Sequence, residues 1–184
     1  MGFKEKFCAF MLKAMGWTAD SGAAPEKKAI ILGVPHTSFM DFVVSYFFYT
    51  STGHVAHVLI KKEMFWGPLG WLLKKLGCIP VDRTNGAAFL KSIIETVEKE
   101  DTFQIAMCPE GTRKATKKRK MGYHAIAKAT GSTVYMGYFN WKNKHISIGE
   151  KFELTDDAKA DTEAIKAHYR TLDLEGRHKD GYII

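Results

Sequence analysis

Apolar residues recur along this chain in two rhythms. Phe3, Phe7, Phe10, Met11, Ala14 and Met15 fall at three- and four-residue spacing, with Lys4, Lys6 and Lys13 mostly elsewhere. That is the stripe of an amphipathic helix. Residues 18–28, "TADSGAAPEKK", carry no rhythm and read as a loop. Short continuous apolar runs then appear at Ala29–Val34, Val55–Ile60, Cys78–Val81, Phe103–Cys108 and Thr133–Phe139. Runs of that length, rich in Ile, Val and aromatic residues, predict buried strands. Between them lie helical stretches at Ser38–Tyr49, Pro68–Leu76, Gly86–Glu100 and Tyr123–Ala129. The clearest is Gly86–Glu100, where Leu90, Ile93, Ile94 and Val97 share one face and Lys91, Glu95, Glu98 and Lys99 take the other. A polar hairpin, "NWKNKHISIG", and a helix over Ala158–Leu172 complete the series. Strands alternating with helices predict an α/β fold, an αβ sandwich in a single domain. The first 17 residues form an amphipathic N-terminal helix ahead of a domain spanning 28–184.

Composition changes this picture little and charge changes it more. With 184 residues and 46% hydrophobic content the chain is large enough for a core without covalent staples. Its net charge of +7 favours an anionic partner: nucleic acid, an anionic membrane surface or a phosphorylated substrate. Three cysteines at no metal-like spacing read as free thiols. No secretory signal is evident, and no run of about twenty apolar residues predicts a membrane span. The expectation is a cytoplasmic protein, soluble or peripheral on the cytoplasmic face of a membrane.

Three strand ends carry chemistry. In "AIILGVPHTSFMD" an apolar run gives way to Pro35 and His36, with Asp41 five positions on. Positions five apart in a helix are rotated by roughly 500° and share no face. His36 therefore meets Asp41 only from a turn before the helix. Pro35 disfavours a helical Val34, and Ser38 is a good N-cap that makes Asp41 the third helical residue. Ser38-x-x-Asp41 also fits a capping box, in which the acid serves the helix and not the imidazole. In "GCIPVDR" a strand ends at Asp82–Arg83, just before a helix N-terminus, a natural place for a phosphate. Arg83 equally suits a surface ion pair. In "CPEGTR" a Pro-Glu-Gly turn, Thr112 and Arg113 suit an oxyanion or phosphate, or form an ordinary turn. Ligands in open α/β sheets bind where strands end, so three such ends can surround one pocket. Cys108 reads as a buried residue of its strand, with no role in chemistry.

His36-x4-Asp41, Gly77-x5-Arg83 and Pro109-Glu-Gly-Thr-Arg113, in that order, resemble the glycerophospholipid acyltransferases of the lysophosphatidic acid acyltransferase group. "IKKEMFWGPLGWLLKKLGCIPVDR" and "MGYHAIAKATGS" are similar to the flanks of that family's second and third motifs. The resemblance covers roughly residues 29–140. It implies a central mixed sheet flanked by helices, and transfer of a fatty acyl group from acyl-CoA or acyl carrier protein to the hydroxyl of a lysophospholipid, 1-acylglycerol-3-phosphate first among them. It implies His36 as general base and Asp41 as its orienting acid. Arg83, Glu110, Gly111 and Thr112 would bind the acceptor, with Arg113 assisting, and neither metal nor redox cofactor is required. The strand "STVYMGYFN" lacks the prolines of the family's fourth motif. The same residues leave room for an aminoacyl lysolipid acceptor or for a non-catalytic lipid-binding protein.

The basic run "KATKKRK", Lys114–Lys120, reads as a solvated loop or a landing site for anionic headgroups, and not as a nucleic-acid patch. The N-terminal helix and Trp66, Trp71, Lys74 and Lys75 suit docking at a membrane interface. Core packing also accounts for the tryptophans.

Overall fold

The structure, a computed structural model, describes residues 2–82 and 84–183. Helix α1 (Phe3–Ala14) is followed by a two-residue strand β1 (Thr18–Ala19), then β2 (Lys28–Leu32), α2 (Phe39–Ser51) and β3 (His57–Lys61). Next come α3 (Gly67–Lys75), β4 (Cys78–Val81), α4 (Gly86–Lys99), β5 (Phe103–Met107) and α5 (Gly122–Thr130). The chain then forms β6 (Thr133–Tyr135), β7 (Tyr138–Asn140), β8 (His145–Ser147), β9 (Lys151–Phe152) and α6 (Ala158–Arg170).

Six strands build the main sheet in the order β4-β3-β5-β2-β6-β9. Neighbours run parallel except β9, which lies antiparallel to β6, so the sheet is mixed as the resemblance implied. A smaller sheet, β1-β8-β7, joins it at a single bridge between Val34 and Tyr138.

Strand β2 lies inside the sheet, and its period of two feeds two cores. Ile30 and Leu32, with Val34 beyond, pack with Ile93 and Val97 of α4, Tyr123 and Ile126 of α5, and Ile165 and Tyr169 of α6. Ala29 and Ile31 face the other way, toward Leu12, Trp17, Val44 and Phe48. Fully burying one such aliphatic side chain contributes about 1.5–3 kcal/mol, so this alternation fixes which helices cover which face. α1 packs on α2, burying Cys8 and Leu12 and leaving Phe3, Phe7 and Phe10 exposed.

The single strand predicted over Thr133–Phe139 is two strands in two sheets. The chain switches sheets at Met136–Gly137, where Met136 N–H donates to Glu150 O (2.8 Å) and Phe139 N–H to Val34 O (2.9 Å). A β-carbon on Gly137 would lie 2.6 Å from Leu32 O, so only glycine lets the backbones approach this closely. The loop predicted over 18–28 is likewise interrupted, since Thr18 pairs with His145 across the small sheet.

Candidate active site

Parallel pairing sets two of the three motifs side by side. Leu32 of β2 is in register with Met107 of β5, and Gly33 N–H donates to Met107 O (3.0 Å). The chain therefore leaves both strands at the same edge, one into Val34–Pro35–His36 and the other into Cys108–Pro109–Glu110. The Val34–Pro35 peptide is cis. Strand β4, which leads to the second motif, is three strand positions away from β2, roughly 14 Å at ordinary spacing.

The His36 turn realises both readings of Asp41. Ser38 caps α2, and the Ser38–Asp41 capping box is formed. Asp41 Oδ2 accepts from Thr37 N–H (2.8 Å) and Ser38 N–H (2.7 Å). The same oxygen lies 3.3 Å from His36 Nδ1, an ionic contact without the alignment of a hydrogen bond. Asp41 Oδ1 accepts from Trp141 Nε1–H at 2.8 Å. Three donors pin a carboxylate that is 1% exposed, while the imidazole beside it is 25% exposed. The acid is fixed and the ring reaches the surface.

Glu110 is tied to this turn. Its Oε1 accepts from His36 backbone N–H (3.1 Å), while its Oε2 is buried without a partner. Burial pushes the Glu110 carboxyl pKa upward. Burial alone would lower the His36 pKa, but the Cys108 sulfur and the Asp41 carboxylate beside the ring outweigh it and raise it above the usual 6.5. Burial also raises the Cys108 thiol, with the His36 ring beside it pulling the other way.

The remaining predicted residues divide. Gly111 has a left-handed φ of +64° and packs under the Lys120 side chain. Its N–H donates to Cys108 O (3.0 Å), closing the turn that presents Glu110. Thr112 Oγ1 accepts from Lys114 N–H (3.2 Å) within its own loop, and Arg113 is exposed. Arg83 lies outside the described residues. Its neighbour Asp82 is engaged by Lys62 Nζ (2.5 Å) and by Thr84 N–H (2.9 Å).

Sequence reasoning missed two groups. Cys108 is not a strand residue: β5 stops at Met107, and the half-buried sulfur lies against the His36 ring. Trp141 stands a hundred residues from the aspartate it holds, and only folding brings them together. An apolar cavity of about 50 Å³, lined by Ile31, Gly33, Phe48, Tyr49, Phe139 and Ile148 among others, runs under α2 from Gly33. A second buried histidine–aspartate pair, His124 Nε2 with Asp161 Oδ2 at 3.2 Å, joins α5 to α6.

The adjoining ends of two parallel strands thus present a histidine held by an aspartate, and a glutamate bonded to that histidine's backbone. The family model described as Acyltransferase matches residues 19–146, and the chain belongs to the acyltransferase family. A curated relative, 1-acyl-sn-glycerol-3-phosphate acyltransferase of Streptococcus pneumoniae, is 26% identical over 162 residues, covering 82% of this chain. The chain spans 60% of that relative's length. The fold is similar to the crystal structure of the 1-acyl-sn-glycerophosphate (LPA) acyltransferase, PlsC, from Thermotoga maritima. The TM-score is 0.65 at 18% identity, covering 95% of this chain and 80% of the other.

Proposed function

We propose that this protein transfers a fatty acyl group from a thioester, acyl-CoA or acyl carrier protein, to the free hydroxyl of a lysophospholipid in phospholipid biosynthesis. 1-Acylglycerol-3-phosphate is the acceptor proposed first, in line with the name of the Streptococcus pneumoniae relative. The observation that carries the reading is the His36–Asp41 pair at the strand end, with Glu110 bonded to the His36 backbone. With Nδ1 turned toward Asp41, Nε2 is the ring nitrogen left to meet a substrate.

In the proposed reaction His36 Nε2 takes the proton of the acceptor hydroxyl as that oxygen attacks the thioester carbonyl. The tetrahedral oxyanion collapses, the C–S bond breaks, and the departing thiolate recovers the proton from the imidazolium. Asp41 orients the ring and stabilises the cation that forms between the two steps. Arg83, Glu110, Gly111 and Thr112 are assigned to the acceptor and its phosphate, with Arg113 assisting. The thioester is a co-substrate, and the scheme uses no metal or redox cofactor.

The enzyme would work as a peripheral protein at an anionic membrane surface. Among the described residues no helix is long and apolar enough to cross a membrane. Phe3 (87% exposed), Phe10, Trp66 and Trp71 present apolar surface to solvent.

The test is acyl transfer by purified protein. Palmitoyl-CoA and palmitoyl-acyl carrier protein are each paired with glycerol 3-phosphate, 1-acylglycerol-3-phosphate and an aminoacyl lysolipid. A product that His36→Ala reduces by about 10²-fold or more supports the base role. Transfer that survives His36→Ala refutes it. Lysolipid binding without turnover would favour the non-catalytic lipid-binding reading.

A further inference from the structure

Beyond Arg170 the chain turns back as a strap, residues 171–183, irregular apart from a 3-10 turn at Lys179–Gly181 and outside the segment matched by the family model. Leu172, Leu174 and Tyr182 anchor it on the apolar core. Between Leu174 and Tyr182 it is the backbone that meets the His36 turn.

Two lines of contact reach the His36–Asp41 pair. The first passes through Trp141. Asn140 Nδ2 donates to Asp173 O (3.2 Å), Glu175 N–H donates to Asn140 Oδ1 (3.1 Å), and Trp141 N–H donates to Glu175 O (2.9 Å). The Arg177 guanidinium covers the Trp141 ring, 5.2 Å from its centroid, and Trp141 Nε1–H donates to Asp41 Oδ1. The second line is direct. Gly176 is buried against Thr37, and a β-carbon there would lie 2.5 Å from Thr37 Cγ2 and 2.8 Å from Oγ1. His178 N–H donates to Thr37 Oγ1 (3.3 Å), and Thr37 N–H donates to Asp41 Oδ2. At the strap's far end Arg119 Nη2 donates to Ile183 O (2.7 Å), tying it to the loop after the third motif.

We propose that residues 173–181 form a positioning strap that sets the geometry of the His36–Asp41 pair, through Trp141 on one side and Thr37 on the other. The role rests on the acyl-transfer reading, in which that pair is the base. Gly176 and Trp141 are positioning residues and touch no reacting atom. A backbone in van der Waals contact with Thr37 leaves the turn one place to sit, and the indole N–H leaves the carboxylate one orientation. Preorganisation of this kind governs the rate more than substrate affinity, because small misplacement at the reacting centre lowers turnover steeply.

Two variants and two readouts test it. Gly176→Ala pushes on Thr37. Trp141→Phe keeps the ring and removes the donor to Asp41. The first readout is kinetics, with kcat expected to fall about tenfold in each variant while acceptor KM stays within about twofold. Thr37→Ser added to Gly176→Ala removes Cγ2, the nearest contacting atom, keeps the hydroxyl that accepts from His178 N–H, and is expected to restore part of the lost kcat. The second readout is the NMR titration of the His36 ring, which needs no turnover. Its midpoint is expected to move by about half a pH unit in both variants. Asp41, Cys108 and Glu110 face or adjoin the ring, and His178 and Arg177 lie on the strap. Cys108→Ser and His178→Gln are therefore titrated alongside, to separate their charges from positioning. A wild-type His36 midpoint in both variants overturns the strap's role, even if thermal stability falls. A kcat loss that Thr37→Ser leaves unrepaired, with an unmoved midpoint, overturns it as well. Wild-type protein without acyl transfer refutes the proposed function instead, and the titration then decides the strap on its own.

Discussion

His36 has to be neutral to accept a proton, and its surroundings favour the cation. The Cys108 sulfur beside the ring and the Asp41 carboxylate, 3.3 Å away, stabilise the imidazolium and so raise the pKa above 6.5. The sign follows directly. Raising a base's pKa moves the acid limb of kcat/KM to higher pH, since the neutral ring is populated only above that pKa. We expect a limb with its midpoint above 6.5, measured with saturating acyl donor. Asp41→Asn removes the charge, so it should move the limb to lower pH while lowering kcat by at least about tenfold. A limb at or below 6.5 in the wild type, or one that Asp41→Asn leaves in place, would mean that Asp41 serves only the helix cap. Local sequence carried most of this unit, because proline, N-cap and acid lie within seven residues. It did not carry Trp141, whose bond to Asp41 spans a hundred positions, nor the Cys108 contact with the ring. Arg83 was as legible as His36 in the sequence, and it falls outside the described residues.

Elements were legible where one period ran unbroken. Strand β4 and helix α4 begin where their patterns predicted, because β4 is a short apolar run and α4 has one clean stripe. The run Thr133–Phe139 misled because its break depends on what it touches. Gly137 passes Leu32 O too closely for any side chain, and nothing in the local pattern marks that encounter. The clasp between α5 and α6 was invisible for the same reason. Asp161 accepts from Thr155 N–H and Thr155 Oγ1, both at 2.8 Å, and lies 3.2 Å from His124 Nε2. Thr155 lies only six positions before Asp161, whereas His124 lies 37 positions away, and no local pattern marks that distant partner. Asp161→Ala removes a buried carboxylate that holds Thr155 and the buried His124 together, so it should destabilise the fold by about 3 kcal/mol. For a chain of this size that is a fall in Tm of about 10 °C. Breaking the exposed Lys91–Glu95 pair on α4 should change stability by less than about 0.5 kcal/mol. Equal losses from the two sites, measured by urea titration, would mean that the clasp is no more than a surface contact.

At the scale of the molecule, net charge and apolar exposure point to one kind of environment. A charge of +7 attracts any polyanion, so charge alone does not choose between a membrane and a nucleic acid. The proposed membrane docking rests instead on exposed aromatic side chains, because Phe3, Phe7 and Phe10 of α1 are held in solvent by a helix whose other side is buried on α2. Apolar side chains gain free energy in an acyl-chain interface and little from a duplex backbone. Within the basic run the structure also separates working charges from structural ones. Arg119 is committed to Thr116 O and Ile183 O, whereas Lys114, Lys117 and Lys118 are exposed. Each free lysine near an anionic surface contributes about 1 kcal/mol, so Lys114, Lys117 and Lys118 changed together to Gln should weaken binding to anionic vesicles by about 10²-fold. Phe7→Ser with Phe10→Ser should weaken binding to anionic and zwitterionic vesicles alike, and its effect should persist at high salt, where that of the lysines fades. Vesicle sedimentation over a salt series reads both. Binding that prefers duplex DNA to anionic vesicles, and that ignores the two phenylalanines, would overturn the membrane assignment while leaving the His36 chemistry to be judged on its own assay.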